Sequence, residues 1–349
     1  AMVEAERAGM DTLLSDKSDK YTALVSGYSS LETLLDDFQD ALDDYTDSSS
    51  DTSFSAQTCT LSDDEYFTVT SDGSAADGNY SIFVEQLAQS YQTALTFDSK
   101  EWELPTDGTL SFTVDGEAMT LDLSTLDSGA TLSDLVTAIN NSDDNPGVQA
   151  SLIQSGDSVM LLITSEETGA DYTVDMTFTA GTTSTASTEL SEALTSMNVL
   201  SEAQDAIIQF GNTNAITITS SSNTLENVID GLTIDLTQAQ DSDDSAINVE
   251  VEVDTDTVET NLESFVDTFN TLIDSLSDLY ADDGDLDGNS TLRSIISSLK
   301  NSMRSSLPDG YDLSDIGLSF TSSGTLEIDS DALEEALTNN PDILNICLT

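Results

Sequence analysis

The stretch from Val258 to Tyr280, VETNLESFVDTFNTLIDSLSDLY, sets Val258, Leu262, Phe265, Val266, Phe269, Leu272, Ile273, Leu276, Leu279 and Tyr280 at helical spacing. One whole face of a long helix is therefore apolar. Each such side chain gains about 1.5–3 kcal/mol on burial, and the face left in water would be an aggregation surface, so the helix must collect partners. Asp256, three residues ahead of Glu259, offers a capping box for its start. Apolar patterns able to cover it lie at both ends of the chain, which makes the middle a long excursion out of a helical base.

Charge restricts the chain next. Asp and Glu number 67 against 7 Lys and Arg, a net charge of −60 over 349 residues. Apolar periodicity persists throughout, and 38% hydrophobic content suffices for the cores of two or three domains, so this is a folded protein with an acidic skin. At ~1 M salt the Debye length falls to roughly 3 Å and self-repulsion is largely screened; a salt-loving source is expected. The carboxylates are spread along the chain, which argues against an acidic face reserved for one basic partner. No basic stripe stands out to displace counterions, which excludes nucleic acid as a partner. No run of ~18 apolar residues and no cleavable leader is visible, so neither membrane insertion nor Sec export is expected. The opening AMVEAERAG reads as an entry into the middle of a helix.

From Leu14 to Tyr45 the residues Leu14, Tyr21, Leu24, Tyr28, Leu31, Leu35, Phe38, Leu42 and Tyr45 form a heptad seam interrupted at Lys17. The seam can pack inside the chain, or its N-terminal part can meet another subunit. The run Tyr45 to Ser53 breaks the helix, and strand-like pieces follow at Phe54–Leu61, Tyr66–Thr70 and Tyr80–Val84. DGTLSFTVDGEAMTLDL predicts a hairpin turning at Asp115-Gly116, Leu132 to Asn140 a short helix, VQASLIQSGDSVMLLIT a second hairpin, and Thr179 to Thr188 a linker. Beyond it come QDAIIQF, a Gly211-Asn212 turn, AITITS, a helical turn near Leu225 to Ile229, GLTIDLT and INVEVEV. After Tyr280 a second helix carries Leu292, Ile295, Ile296, Leu299 and Met303, then a hairpin and a helix opened by Ser330 or Asp331 with Glu334.

Chemistry has little to work with. There is no His, hence no Ser-His-Asp or Cys-His arrangement, and acid pairs are abundant only because acids are; no enzyme and no cofactor are expected. Asp283, Asp285, Asp287 and Gly288 match the first half of an EF-hand loop, but Ser294 stands where a bidentate Glu should close it. An acidic turn between helices is the simpler reading, and calcium-dependent surface binding a competing one. Cys59 and Cys347 have no metal-ligand spacing and read as structural thiols.

VEAERA (Val3 to Ala8), NYSIFVEQLAQ (Asn79 to Gln89), MNVLSEAQDA through LTIDL (Met197 to Leu236), SFVDTFNTLI (Ser264 to Ile273), NSTLRSI (Asn289 to Ile295) and DIGLSFTSSGTLEIDSDALEEAL (Asp315 to Leu337) resemble, in order and spacing, the flagellar hook-associated protein 2 family of filament caps. Leu104 to Thr179 resembles the family's outer domain loosely, in the manner of flagellin inner repeats. The resemblance implies an α+β multidomain protein: a helical bundle leg domain of 1–46 and 255–349, an inner sheet-rich head of 47–103 and 188–254, and an outer α+β head of 104–187 inserted into it, the heads mainly antiparallel β. It also implies a homo-oligomeric ring at the filament tip beneath which exported flagellin folds and is inserted, with flagellin, the export machinery and other copies as partners. Export would follow the flagellar route without a cleaved signal. Contacts to copies or flagellin are expected from Leu14, Tyr21, Leu24, Tyr28, Leu31, Arg293 and Arg304. The family's terminal heptad arms are expected to be missing here. A secreted adhesin or flagellin-like filament subunit is the alternative.

Overall fold

The computed structural model describes residues 2–47, 53–156, 158–305, 307–308, 310–341 and 343–348. Most of the expected break from Tyr45 to Ser53 falls on residues 48–52, outside the described residues. In chain order come α1 (Met2–Thr46), β1 (Gln57–Leu61), β2 (Phe67–Ser71), β3 (Gly78–Gln86), β4 (Gln92–Phe97), β5 (Thr109–Val114), β6 (Glu117–Asp122), α2 (Leu132–Asn140), β7 (Val148–Ser155), β8 (Ser158–Ser165), β9 (Asp175–Thr179) and α3 (Thr185–Thr195). The chain continues with β10 (Asn198–Ser201), β11 (Ala206–Phe210), β12 (Ile216–Ser220), β13 (Thr224–Ile229), β14 (Leu232–Leu236), β15 (Ile247–Val253), α4 (Thr255–Tyr280), α5 (Ser290–Ser305), β16 (Leu318–Phe320), β17 (Leu326–Ile328), α6 (Ser330–Asn339) and α7 (Ile343–Leu348). Two compact units result: Ala1–Cys59 with Ser71–Gly78 and Val251–Thr349, and Thr60–Thr70 with Asn79–Glu250.

In the first unit α4 is the centre, as its apolar face requires. Val258, Leu262, Phe265, Val266, Phe269, Leu272, Ile273 and Leu276 are all buried. Its cap is Asp254 and not Asp256: the carboxylate accepts the Thr257 N–H at 3.0 Å and the Thr257 hydroxyl at 2.9 Å. The helix thus begins directly after β15, whose last residue, Val253, is already in the core. Tyr45 and Phe54 stack at 5.5 Å, and both meet Phe265 edge-on at 5.6 and 5.9 Å, an arrangement favoured by the ring quadrupoles. Asp329, one residue ahead of the expected start, caps α6 by accepting the Ala332 N–H.

The second unit contains most of a five-stranded sheet in the order β1-β15-β3-β11-β12, a three-stranded sheet β13-β14-β2, a four-stranded sheet β10-β4-β8-β7 and a three-stranded sheet β6-β5-β9. The β5–β6 hairpin turns where the sequence places it, with Asp115 and Gly116 at φ of 46° and 78°, the pair of left-handed residues that a two-residue turn of this hand needs. Leu95, Leu110, Phe112, Met119, Leu132, Leu135, Ile139 and Ile163 form one core beneath α2. Two expectations fail. Leu225 to Ile229 is strand β13, paired with β14 through a register shift between Glu226 and Ile229; that irregularity spoils the period-two signal and leaves a three-and-four spacing that imitates a helix. The expected linker ends inside α3, which Ser184 and Ser187 open with reciprocal hydrogen bonds. A serine in place of the usual Glu or Gln hides that capping box.

Candidate assembly surface

Helix α1 carries the heptad seam, and the first unit covers only part of it. Leu31 packs in a cluster with Leu272, Leu276, Leu286 and Leu292, with Leu24, Leu34, Leu35 and Phe38 around it. Toward the N-terminus the seam is bare: Met10 and Leu14 are each 72% exposed, Tyr21 67% and Val25 68%. A stripe of this kind does not sustain a lone helix well, since most helical stability comes from packing an apolar face. Leu31 is thus corrected from a contact residue to a core residue, and Leu24 is half-buried at the edge of the same cluster. Tyr28 is exposed at the junction, and its hydroxyl accepts a hydrogen bond of 2.8 Å from the Asn289 side chain.

The turn at Asp282 to Asn289 is held by its apolar residue. Leu286 is fully buried, and it seats against Gly27 of α1, where a Cβ would come within 2.7 Å of the Leu286 side chain. Asp283, Asp285 and Asp287 point outward as exposed residues. Among the described residues no group of three His, Cys, Asp or Glu side chains is gathered closely enough to hold a metal ion, so the half-loop signal gains no support from the arrangement of these side chains. Asn289 closes the turn and caps α5, its side-chain oxygen accepting the N–H groups of Thr291 and Leu292 at 2.9 and 3.2 Å.

Helix α5, STLRSIISSLKNSMRS, holds three cations and no acid. Arg293, Lys300 and Arg304 lie 7 and 4 residues apart, within about 40° of one another around the helix and along roughly 16 Å of its length. This corrects the expectation that the chain has no basic stripe: a short one exists on α5. Arg293 and Arg304 are exposed and Lys300 is half-buried. The Arg304 guanidinium carbon lies 4.2 Å from the centroid of the Phe320 ring, a cation–π contact that holds the side chain in place. A side chain at Gly324 would collide with the Lys300 ammonium, so the β16–β17 turn shelters that residue. Among the described residues the one ion pair is between neighbouring Lys100 and Glu101, at 3.8 Å.

An apolar cleft of about 240 Å³ in the first unit is lined by Phe38, Leu42, Phe269, Met303 and Cys347, with no carboxylate or basic group among the described residues of its walls. Burial pushes up the thiol pKa of both Cys347 and Cys59, away from the reactive thiolate. Trp102 packs against Phe97 with ring centroids 4.6 Å apart and planes tilted by 39°, and its indole N–H donates to Glu189 at 2.7 Å, which is structural support. Among the described residues no helix is long and apolar enough to cross a membrane.

Residues 1–91 and 203–348 match the family descriptions "Flagellar hook-associated protein 2 N-terminus" and "Flagellar hook-associated protein 2 C-terminus". Residues 109–167 match "Flagellin hook IN motif". The chain is 37% identical over 295 residues to the lateral flagellar hook-associated protein 2 of Vibrio parahaemolyticus, covering 80% of this chain and 65% of that protein, just under two thirds of its length. It is 30% identical over 361 residues to the flagellar hook-associated protein 2 of Escherichia coli, covering 97% of this chain and 74% of the relative. The crystal structure of the D1-D2-D3 domains of the Escherichia coli flagellar cap protein FliD superposes with a TM-score of 0.74 at 29% identity, over 92% of this chain and 89% of that one.

Proposed function

The chain belongs to the flagellar hook-associated protein 2 family, and on that premise we propose that it is a structural cap at the distal tip of a bacterial flagellar filament. In this reading copies form a ring, and exported flagellin folds and enters the filament beneath it rather than leaking into the medium. The protein then acts outside the cell, delivered by the flagellar export route, through binding and without bond chemistry. The observation that carries this reading within the molecule is the seam of α1, covered by its own unit around Leu31 and bare at Leu14 and Tyr21. An apolar stripe continuous with a core is what a subunit offers when the next subunit completes the packing. Leu14, Tyr21 and Tyr28, the open edge of Leu24, and Arg293 with Arg304 are the proposed contacts.

We also propose that the second unit works as an inner and an outer head. The sequence-based borders at 104 and 187 move outward in this proposal, since β4 and β10 pair in the same sheet as β7 and β8, and the Gln89–Gln204 bridge marks the neck. Immunogold labelling with an antibody to this chain tests the placement. Label confined to filament ends is expected; label along whole filaments would replace the cap with a filament subunit.

A further inference from the structure

Six of the seven basic residues, Arg7, Lys17, Lys20, Arg293, Lys300 and Arg304, belong to the first unit. Three of them align on α5, a helix without a single acid. For a chain of net charge −60, approach of a second copy is repulsive almost anywhere else on the surface. The two ends of the stripe, Arg293 and Arg304, are exposed and Lys300 between them is half-buried against the β16–β17 turn; Arg304 is braced on Phe320, and among the described residues no carboxylate pairs with any of the three.

A complementary row lies on α1. Glu32, Asp36 and Asp43 are exposed and fall within about 40° of one another around that helix. Their spacing is 4 and then 7 residues, the reverse of the 7 and 4 on α5. Laid antiparallel, the helices bring Arg293 to Asp43, Lys300 to Asp36 and Arg304 to Glu32 in one register. The row is also on the helix whose bare seam asks for another subunit.

We propose that the cationic stripe of α5 docks on the acidic row Glu32–Asp36–Asp43 of α1 in a second copy of this chain. The two surfaces differ, so the contact is head-to-tail, the type that closes into a ring when the rotation allows. Opposite charges fix register and partner here, while the apolar seam supplies burial. This rests on the ring reading above and names its contact.

The test uses the full-length protein at ~1 M NaCl, where general repulsion is screened, with sedimentation velocity as readout. R293E/K300E/R304E and E32K/D36K/D43K should each weaken self-association by at least about tenfold, and mixing the two charge-reversed proteins should restore a mixed assembly. Circular dichroism melts of both, and the milder R293Q/K300Q/R304Q, separate loss of contact from loss of fold. Unchanged association of the α5 variants overturns the proposal and leaves the cap reading standing. Failure of the mixed pair to assemble places the acidic partner elsewhere and also overturns it. So does an α5 variant that self-associates normally but no longer binds flagellin. A wild-type protein that stays monomeric removes this contact and the ring together, whereas the deletion phenotype of the gene bears on the cap alone.

Discussion

Asn270 of α4 brackets the backbone of Leu326 in β17: its side-chain N–H donates to the Leu326 carbonyl at 2.9 Å and its side-chain oxygen accepts the Leu326 N–H at 2.7 Å. A helix thereby supplies the hydrogen bonds that a neighbouring strand would otherwise supply. The Phe-Asn pair of the SFVDTFNTLI segment acquires a physical meaning, since Phe269 faces the core while Asn270 ties the β16–β17 hairpin to the helix.

Asn270→Ala leaves both backbone groups of Leu326 unpaired in a half-buried place. Unsatisfied groups of this kind cost about 1–3 kcal/mol, so chemical denaturation should show the first unit destabilised by that order. Asn270→Asp should also be harmful, because a carboxylate cannot donate to the carbonyl. An unchanged midpoint for both would show that the bracket carries no stability.

Gly27→Ala sets two effects against each other. In a free helix Ala is favoured over Gly by about 1 kcal/mol. At this position the new methyl meets Leu286 at 2.7 Å and the Asp285 Cβ at 3.0 Å, and overpacking typically costs about 1–3 kcal/mol. A net loss of stability is expected in a thermal melt; a gain would mean that the Asp282 to Asn289 turn is not seated on α1.

Calcium gives a simple control. The turn is held by Leu286 and its carboxylates are exposed, so millimolar calcium in high salt should leave the melting temperature where magnesium leaves it. A calcium-specific rise that Asp283→Asn abolishes would favour calcium binding at this turn instead.

Salt and acid should act in a set order. With a net charge of −60, the melting temperature should climb from dilute buffer to ~1 M KCl as repulsion is screened. In that salt, local carboxylate bonds dominate the pH response. Asp122 is held below its usual pKa by the Ser124 hydroxyl and then the Ser124 N–H, and Asp134 by the Thr131 N–H and then its hydroxyl. A lowered folded pKa contributes stability above the unfolded value of about 3.9, lost as pH falls through the folded value. Melting in 1 M KCl should therefore come earlier below about pH 4. A rise on acidification, or a flat response to salt at neutral pH, would contradict this ordering.

Local signals made most of the fold legible. The 3.6-residue period of α4, the heptads of α1 and the Asp115-Gly116 turn each express a constraint that acts over a few residues. Strand β4 was not legible, because a central strand such as QTALTF, paired with β8 and β10, has no strict alternation to betray it. The assembly surface was half legible. Heptad spacing located the seam, but where its cover ends depends on Leu272, Leu276 and Leu292, far away in sequence. The α5 stripe was hidden by an overwhelmingly acidic composition, although the 7 and 4 spacing of Arg293, Lys300 and Arg304 inside an acid-free helix was there to be found.

The cap reading meets its most direct test in the source organism with this gene deleted, by comparing flagellin in filaments with flagellin free in the medium. Monomeric flagellin in the medium with short or absent filaments, reversed by the wild-type gene, is the expected result. Filaments of normal length with no free flagellin would contradict the cap function.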